Sequence, residues 1–312
     1  MESPAMATNA EPKLSDQLFD NPTILAVITT SKCNLDCSFC GGAYYMNRED
    51  SSREFQRDRI MEALEANPTI TEIQWTGGEP LLATRKIEAF VDELKVIRPE
   101  LKHQLYTNGL KMRKTHLPLL KQFDNVYVSI DGFELSERPF KRFINDGCYE
   151  ALEVMHELEN VHTWAVLTRE QLGNKRWHED IIELHNAIYH YGYRTMTLLL
   201  DANMPKPLSP DHVMNFIYGY FRIQENIERL NVSNSKRCDY VVSKVFDGGC
   251  NVCSNSLWLR ADGTEYQLQN APRLLESGCN QLACSIGLEA YEYIRRVVMA
   301  NRNSGVLNEP RK

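Results

Sequence analysis

The chain has 312 residues, 43% of them hydrophobic and 25% charged, with a formal net charge of −7. At about 100–200 residues per domain this suggests two units, or one barrel-sized domain with an appendage. The balance excludes collagen, low-complexity disorder and a disulfide miniprotein, and the acidic charge argues against broad binding of phosphate backbones.

Residues 1–21 read as a polar tail without the apolar core of a secretory signal. No apolar stretch approaches the roughly 18 residues needed to span a bilayer, so no membrane partner and a cytoplasmic location are expected. Nine cysteines in such a chain point to metal or redox chemistry rather than structural disulfides.

From Pro22 onward, two apolar periods alternate, one near 2 and one near 3.6. Strands are expected at Ile24–Thr30, Glu72–Thr76, His103–Thr107, Val126–Asp131, His162–Thr168 and Arg194–Leu200. Helices are expected near Glu54–Ala66, Arg85–Ile97, Thr115–Gln122, Tyr149–Leu158 and Glu179–Tyr191. Such βα repetition implies a parallel sheet with crossover helices, an α/β fold. It suits a partial (β/α)6 TIM-type barrel as well as a doubly wound sheet. The core is assigned to 22–205, ending where MPKPLSPDH (Met204–His212) breaks the pattern. The region 206–312 is expected to hold a helix from Pro210 to about Leu230, a hairpin over Ser256–Leu268 with an Asp262-Gly263 turn, and a last helix near Leu288–Ala300.

The first strand runs into SKCNLDCSFCGG, where Cys33, Cys37 and Cys40 have the spacing C-x3-C-x2-C. Three thiolates on one tight loop can ligate three corners of an iron–sulfur cubane and leave one iron open. Structural zinc usually takes four closed ligands, and ferredoxin loops complete four-cysteine ligation. Further motifs stand at successive strand ends: WTGGEP (Trp75–Pro80), YTNGL (Tyr106–Leu110) and SIDG (Ser129–Gly132). A barrel brings strand ends to one rim, the place where barrels carry their chemistry.

In this ordered combination the sequence resembles the radical SAM superfamily from about Ile24 to Leu200. The resemblance implies that Cys33, Cys37 and Cys40 hold a [4Fe–4S] cluster whose open iron binds the amino and carboxylate groups of S-adenosylmethionine. It implies contacts from Gly77, Gly78 and Glu79 to the methionine amino group and from the Phe39 backbone to the adenine. Ser129 and Asp131 match strand-end positions that contact the cofactor and its ribose, with Asn108 as a neighbour; Thr168, Arg169 and Leu199 are positional candidates only. The implied chemistry is one-electron cleavage of the cofactor, fed by an external reductant such as flavodoxin or ferredoxin. The resulting 5′-deoxyadenosyl radical abstracts a hydrogen atom from a polar small-molecule, peptide or nucleobase substrate.

Cys238, Cys250, Cys253, Cys279 and Cys284, around the hairpin, resemble the SPASM/twitch extensions that carry auxiliary iron–sulfur clusters. The pattern departs from them at TEYQLQ, where a cysteine often follows the second hairpin strand. The resemblance implies one auxiliary cluster, assigned to Cys238, Cys253, Cys279 and Cys284 with Cys250 left free as a candidate hydrogen-atom donor; the alternative set uses Cys250 and frees Cys238 or Cys253. A zinc site from the same cysteines is the competing reading. A surplus thiol favours epimerisation or isomerisation; oxidation through the auxiliary cluster and radical rearrangement of a modified nucleobase are the alternatives, and a non-catalytic metal or electron-transfer protein is the contrasting class. Cys148 is expected to pack structurally, His178, His185 and His190 to lie on a packed or solvated helix face, and LKMRK (Leu110–Lys114) and RPFKR (Arg138–Arg142) to be solvated, the second near enough to the rim to meet an anionic substrate.

Overall fold

The structure is a computed structural model in which residues 22–40, 55–191, 196–200, 209–233, 256–259 and 265–266 are described. In chain order the elements are β1 (Ile24–Ile28), α1 (Arg57–Ala66), β2 (Glu72–Thr76), α2 (Thr84–Ile97), β3 (Lys102–Thr107), α3 (Leu117–Leu120), β4 (Asn125–Ser129), α4 (Lys141–Asn145), α5 (Tyr149–Glu157), β5 (Val161–Leu167), α6 (Arg169–Gly173), α7 (Trp177–His190), β6 (Met196–Leu200), α8 (Pro210–Ser233), β7 (Ser256–Leu259) and β8 (Glu265–Tyr266). The strands form one open sheet in the order β6-β5-β4-β3-β2-β1-β7-β8, and β1 to β6 pair in parallel. This is the partial barrel architecture that the βα alternation implies.

Alternation along the strands decides what each face carries. In β4, Val126 and Val128 are buried while Asn125, Tyr127 and Ser129 are half-buried; in β5, Val161, Thr163, Ala165 and Leu167 are buried while His162, Trp164 and Val166 are half-buried. The buried set joins Leu105, Ile73 and Trp75 and the inner faces of α1, α2, α5 and α7 in a single hydrophobic core. Side chains of period 2 meet helices of period 3.6 there, and burial of this apolar area is the dominant stabilising term. The opposite face carries Gln74, Gln104, Asn125, Tyr106, Tyr127, His162 and Trp164, brought side by side by in-register pairing.

The short helices α4 and α6 were not expected, and two further features differ from expectation. The Thr115–Gln122 helix is instead a 3-10 turn at Lys114–His116 followed by the one-turn α3, whose first turn contains Pro118 and so cannot continue an existing α-helical ladder. The hairpin of β7 and β8 is antiparallel as anticipated, yet β7 also pairs in parallel with β1, so the sheet extends beyond the β1 edge. α8 packs on α6 and α7 and adds Phe216, Ile217, Tyr220, Ile223 and Ile227 to the same hydrophobic core. The last helix expected near Leu288–Ala300 lies outside the described residues. No helix among the described residues is long and apolar enough to cross a membrane.

Candidate functional site at the C-terminal rim of the sheet

The cysteine loop leaves β1 at the rim and is gripped from two sides. On one side lies the turn after β2. Gly78 N donates to Thr30 O (2.8 Å) and Glu79 N donates to Lys32 O (2.7 Å), one residue before Cys33. The two glycines make this approach possible. Gly77 has φ of +134°, where other residues are strained, and a Cβ on Gly78 would overlap the Lys32 carbonyl oxygen. The close approach they permit is to the root of the cysteine loop itself.

Glu79 then turns inward and is fully buried. Its carboxylate accepts from Thr107 Oγ1 (2.6 Å), Asn108 N (2.8 Å) and Leu81 N (3.0 Å), so it ties the end of β2 to the end of β3. Burial pushes its carboxyl above the ordinary range, and those three donors pull it back down. Asn108 is also buried, and its Nδ2 donates to Asn34 Oδ1 (2.9 Å) inside the cysteine loop.

The other side of the grip comes from the segment after β4. Asp131, fully buried, receives Arg138 Nε (2.6 Å) and Nη2 (2.7 Å) as a bidentate pair, and Val166 N donates to the same carboxylate (2.8 Å). The Arg138 guanidinium lies 4.9 Å from the centre of the Phe39 ring. Next to it, Glu137 accepts from Ser38 N (2.6 Å) and from the Ser38 hydroxyl. Asp180, from the first turn of α7, accepts from the amides of Phe133, Glu134 and Leu135 at 2.8–3.0 Å and holds this segment in place. Thr168 caps α6 in a capping box with Gln171, whose side chain donates to Asp131 O (3.0 Å).

Cys33, Cys37 and Cys40 are free thiols at the surface of this assembly, exposed or half-buried. Partial desolvation by the surrounding loop raises the Cys33 thiol despite its surface exposure, opposed by the Leu35 amide that donates to its sulfur (3.4 Å) and reinforced by the charge of Glu79. Burial pushes the Cys37 thiol up to about 11, against the nearby positive charge of Arg138. A metal group must therefore displace protons to bind. Among the described residues, no three His, Cys, Asp or Glu side chains converge on one ion. Three cysteines that each ligate a different iron need no such convergence, so this soft donor set on one loop fits three corners of a cluster.

The structure thus brings together Cys33, Cys37, Cys40, Phe39, Gly77, Gly78, Glu79, Asn108 and Asp131, with Ser129 half-buried at the end of β4. It also adds Glu137 and Gln171, which lie in none of the motifs, and gives Arg138 of RPFKR a buried partner. RPFKR is expected to be solvated and near the rim: Lys141 and Arg142 form exposed pairs with Glu134 and Asp146, whereas Arg138 turns inward to Asp131. The available signal was a carboxylate at SIDG and an arginine seven residues on. His178 and His185 prove buried within α7, so packing is their role. Cys148 stands at the N-terminal boundary of α5 and packs against the core without a capping hydrogen bond. Cys238, Cys250, Cys253, Cys279 and Cys284 lie outside the described residues.

The description "Radical SAM superfamily" matches residues 27–204, and the chain belongs to that superfamily. The family implies a [4Fe–4S] cluster and S-adenosylmethionine. Among curated relatives, the GTP 3′,8-cyclase of Mycobacterium marinum is 32% identical over 237 residues, covering 72% of this chain and 65% of the relative. The GTP 3′,8-cyclase of Streptomyces coelicolor is 31% identical over 113 residues, covering 35% of this chain and 33% of that protein. The chain thus spans less than two thirds of the length of these relatives. In fold it is similar to Streptococcus suis SuiB bound to S-adenosylmethionine (TM-score 0.55, 15% identity, 91% of this chain and 70% of that one) and to anSMEcpe with bound AdoMet (TM-score 0.59, 15% identity, 88% and 79%).

Proposed function

We propose that Cys33, Cys37 and Cys40 hold the [4Fe–4S] cluster with S-adenosylmethionine at its open iron, and that the enzyme rearranges a polar, nucleobase-bearing substrate. When bound, the cluster would pass one electron from an external reductant to the sulfonium, whose C–S bond would break to give methionine and a 5′-deoxyadenosyl radical able to remove a hydrogen atom. The observation that carries the reading is the double grip on the cysteine loop, by the Gly77–Glu79 turn and by the Arg138–Glu137 segment, at the rim where β2, β3 and β4 also end.

The chain's own residues have separable duties in this reading. Glu79 and Asn108 fix the loop root from below. Gly77 and Gly78 keep the backbone close enough for an ammonium group to find acceptor oxygens, which is what an ammonium requires. Ser129 stands at the strand end for the ribose. Asp131 orients Arg138 instead of facing the cofactor with an unengaged carboxylate. The core-averted face, with Tyr106 and Tyr127 stacked at 4.8 Å and Trp164 edge-on to both, offers flat apolar surface beside the amides of Gln74, Gln104 and Asn125. A planar base with hydrogen-bonding edges suits such a surface.

The names of the relatives support the nucleobase reading over epimerisation, for which the described residues offer no support. A flavodoxin or ferredoxin is the proposed electron donor, and one auxiliary cluster on the C-terminal cysteines remains part of the proposal. The test is anaerobic reconstitution of the full chain, followed by dithionite, S-adenosylmethionine and either GTP, another purine nucleotide, an aminosugar or no substrate. Release of 5′-deoxyadenosine stimulated by a purine nucleotide is expected. No release from fully iron-loaded protein would remove the enzymatic reading, and stimulation by the aminosugar alone would remove the nucleobase.

A further inference from the structure

Arg138 occupies an unusual place for a residue of its type. Its side chain is 17% exposed and its partner Asp131 is fully buried. Two parallel N–H···O contacts fix the guanidinium plane, and the Asp131 N–H donates back to Arg138 O (3.0 Å), so the pair is locked by backbone and side chain alike. An isolated buried carboxylate would be costly, and Arg138 offsets that cost. Yet the guanidinium is also set against Phe39, a residue of the cysteine loop placed between Cys37 and Cys40. The arginine therefore bridges the buried anion and the Phe39 ring of the cysteine loop.

A cation in that position does more than hold a loop. Cluster potentials respond to net charge, hydrogen bonding and burial around the sulfurs. The reduced cluster carries one more negative charge than the oxidised one, so a nearby positive charge favours reduction and a nearby negative charge opposes it. From this geometry we infer that the Asp131–Arg138 pair is a built-in setting for the cluster's reduction potential, with Arg138 raising it and Asp131 restraining it, and with Phe39 transmitting the position of the cation to the cysteine loop. Both are positioning residues. The inference rests on the reading that Cys33, Cys37 and Cys40 hold the cluster.

The experiment is a redox titration of the reconstituted full chain without S-adenosylmethionine, each cluster taking one electron from dithionite, followed by electron paramagnetic resonance. R138Q removes the cation and leaves Asp131 charged, so its midpoint should fall. D131N removes the anion and leaves Arg138 charged, so its midpoint should rise. Each shift is expected on the order of tenfold in the one-electron equilibrium, about 59 mV. R138K, which keeps the charge, should lie between the parent and R138Q. A merely structural role does not produce shifts of opposite sign. Shifts of the same sign, or none, in cluster-loaded variants overturn the inference. If R138Q assembles no cluster, D131N alone reads the sign, a rise supporting the inference and a fall or no change overturning it. If neither assembles, the midpoint of R138K decides, a value below the parent supporting the inference and an equal or higher value overturning it. A parent chain that binds no cluster at these cysteines refutes the underlying reading instead.

Discussion

Glu79 and His103 are both fully buried, and they answer burial in opposite ways. Glu79 surrounds itself with three donors, so truncation leaves Thr107, Asn108 and Leu81 without their acceptor. E79A should cost about 3 kcal/mol in urea unfolding and lower iron retention, with E79Q in between. His103 stays neutral: Trp75 Nε1 donates to its Nδ1 (3.2 Å), and burial brings it down to about 4 from 6.5. The unfolded chain therefore takes up the proton first on acidification. Stability from this residue is complete above pH 6.5 and is lost as pH falls towards 4, by about 3 kcal/mol at most. His185, brought down to about 4 by the same cause, adds to the slope. Urea midpoints between pH 7 and pH 5 should be flatter in H103Q, and an unchanged slope would assign the acid sensitivity elsewhere. At this scale the sequence was informative about identity but not partnership. Glu79 was legible as an acceptor because GGEP followed a strand, whereas the Asp131–Arg138 pair depends on a loop closing back on itself, which no periodicity encodes.

At the scale of elements, two glycines separate the site from the scaffold. A Cβ at Gly78 would overlap the Lys32 carbonyl, which is backbone and cannot swing away. G78A should displace the root of the cysteine loop and reduce iron incorporation several-fold, with a modest loss of thermal stability. A Cβ at Gly219 of α8 would overlap the Trp177 ring of α7 and press on His178 Cβ at 2.9 Å. G219A should destabilise by about 1–3 kcal/mol through overpacking while iron incorporation stays at the parental level. Iron assays and thermal melts of both variants check the contrast; equal loss of iron in the two would deny the site its separate grip. The long elements were legible because their apolar periods run over many residues, as in α2 and α7. The short helices α4 and α6, five residues each, escape any such period. The α6 start was nonetheless written in Thr168 and Gln171, a capping box with glutamine at the third position.

Across the whole molecule, the order of βα units fixes the rim, and the rim gathers residues from Cys33 to Gln171 into one place. Parallel pairing of β7 with β1 was not readable, because both strands are short and their partnership joins distant parts of the chain. The same distance hides how the C-terminal cysteines relate to the site, and composition answers that better than pattern. A variant with Cys33, Cys37 and Cys40 all replaced by alanine should keep residual iron and sulfide if one auxiliary cluster is present; residual zinc without sulfide would redirect the tail to a zinc site.

The most direct test of the account is the electron paramagnetic resonance spectrum of the dithionite-reduced, oxygen-free parent protein before and after addition of S-adenosylmethionine. The account predicts a [4Fe–4S] signal whose shape changes on addition, and no such change in a C33A/C37A/C40A chain. A spectrum indifferent to the sulfonium, from protein with a full complement of iron, would contradict it.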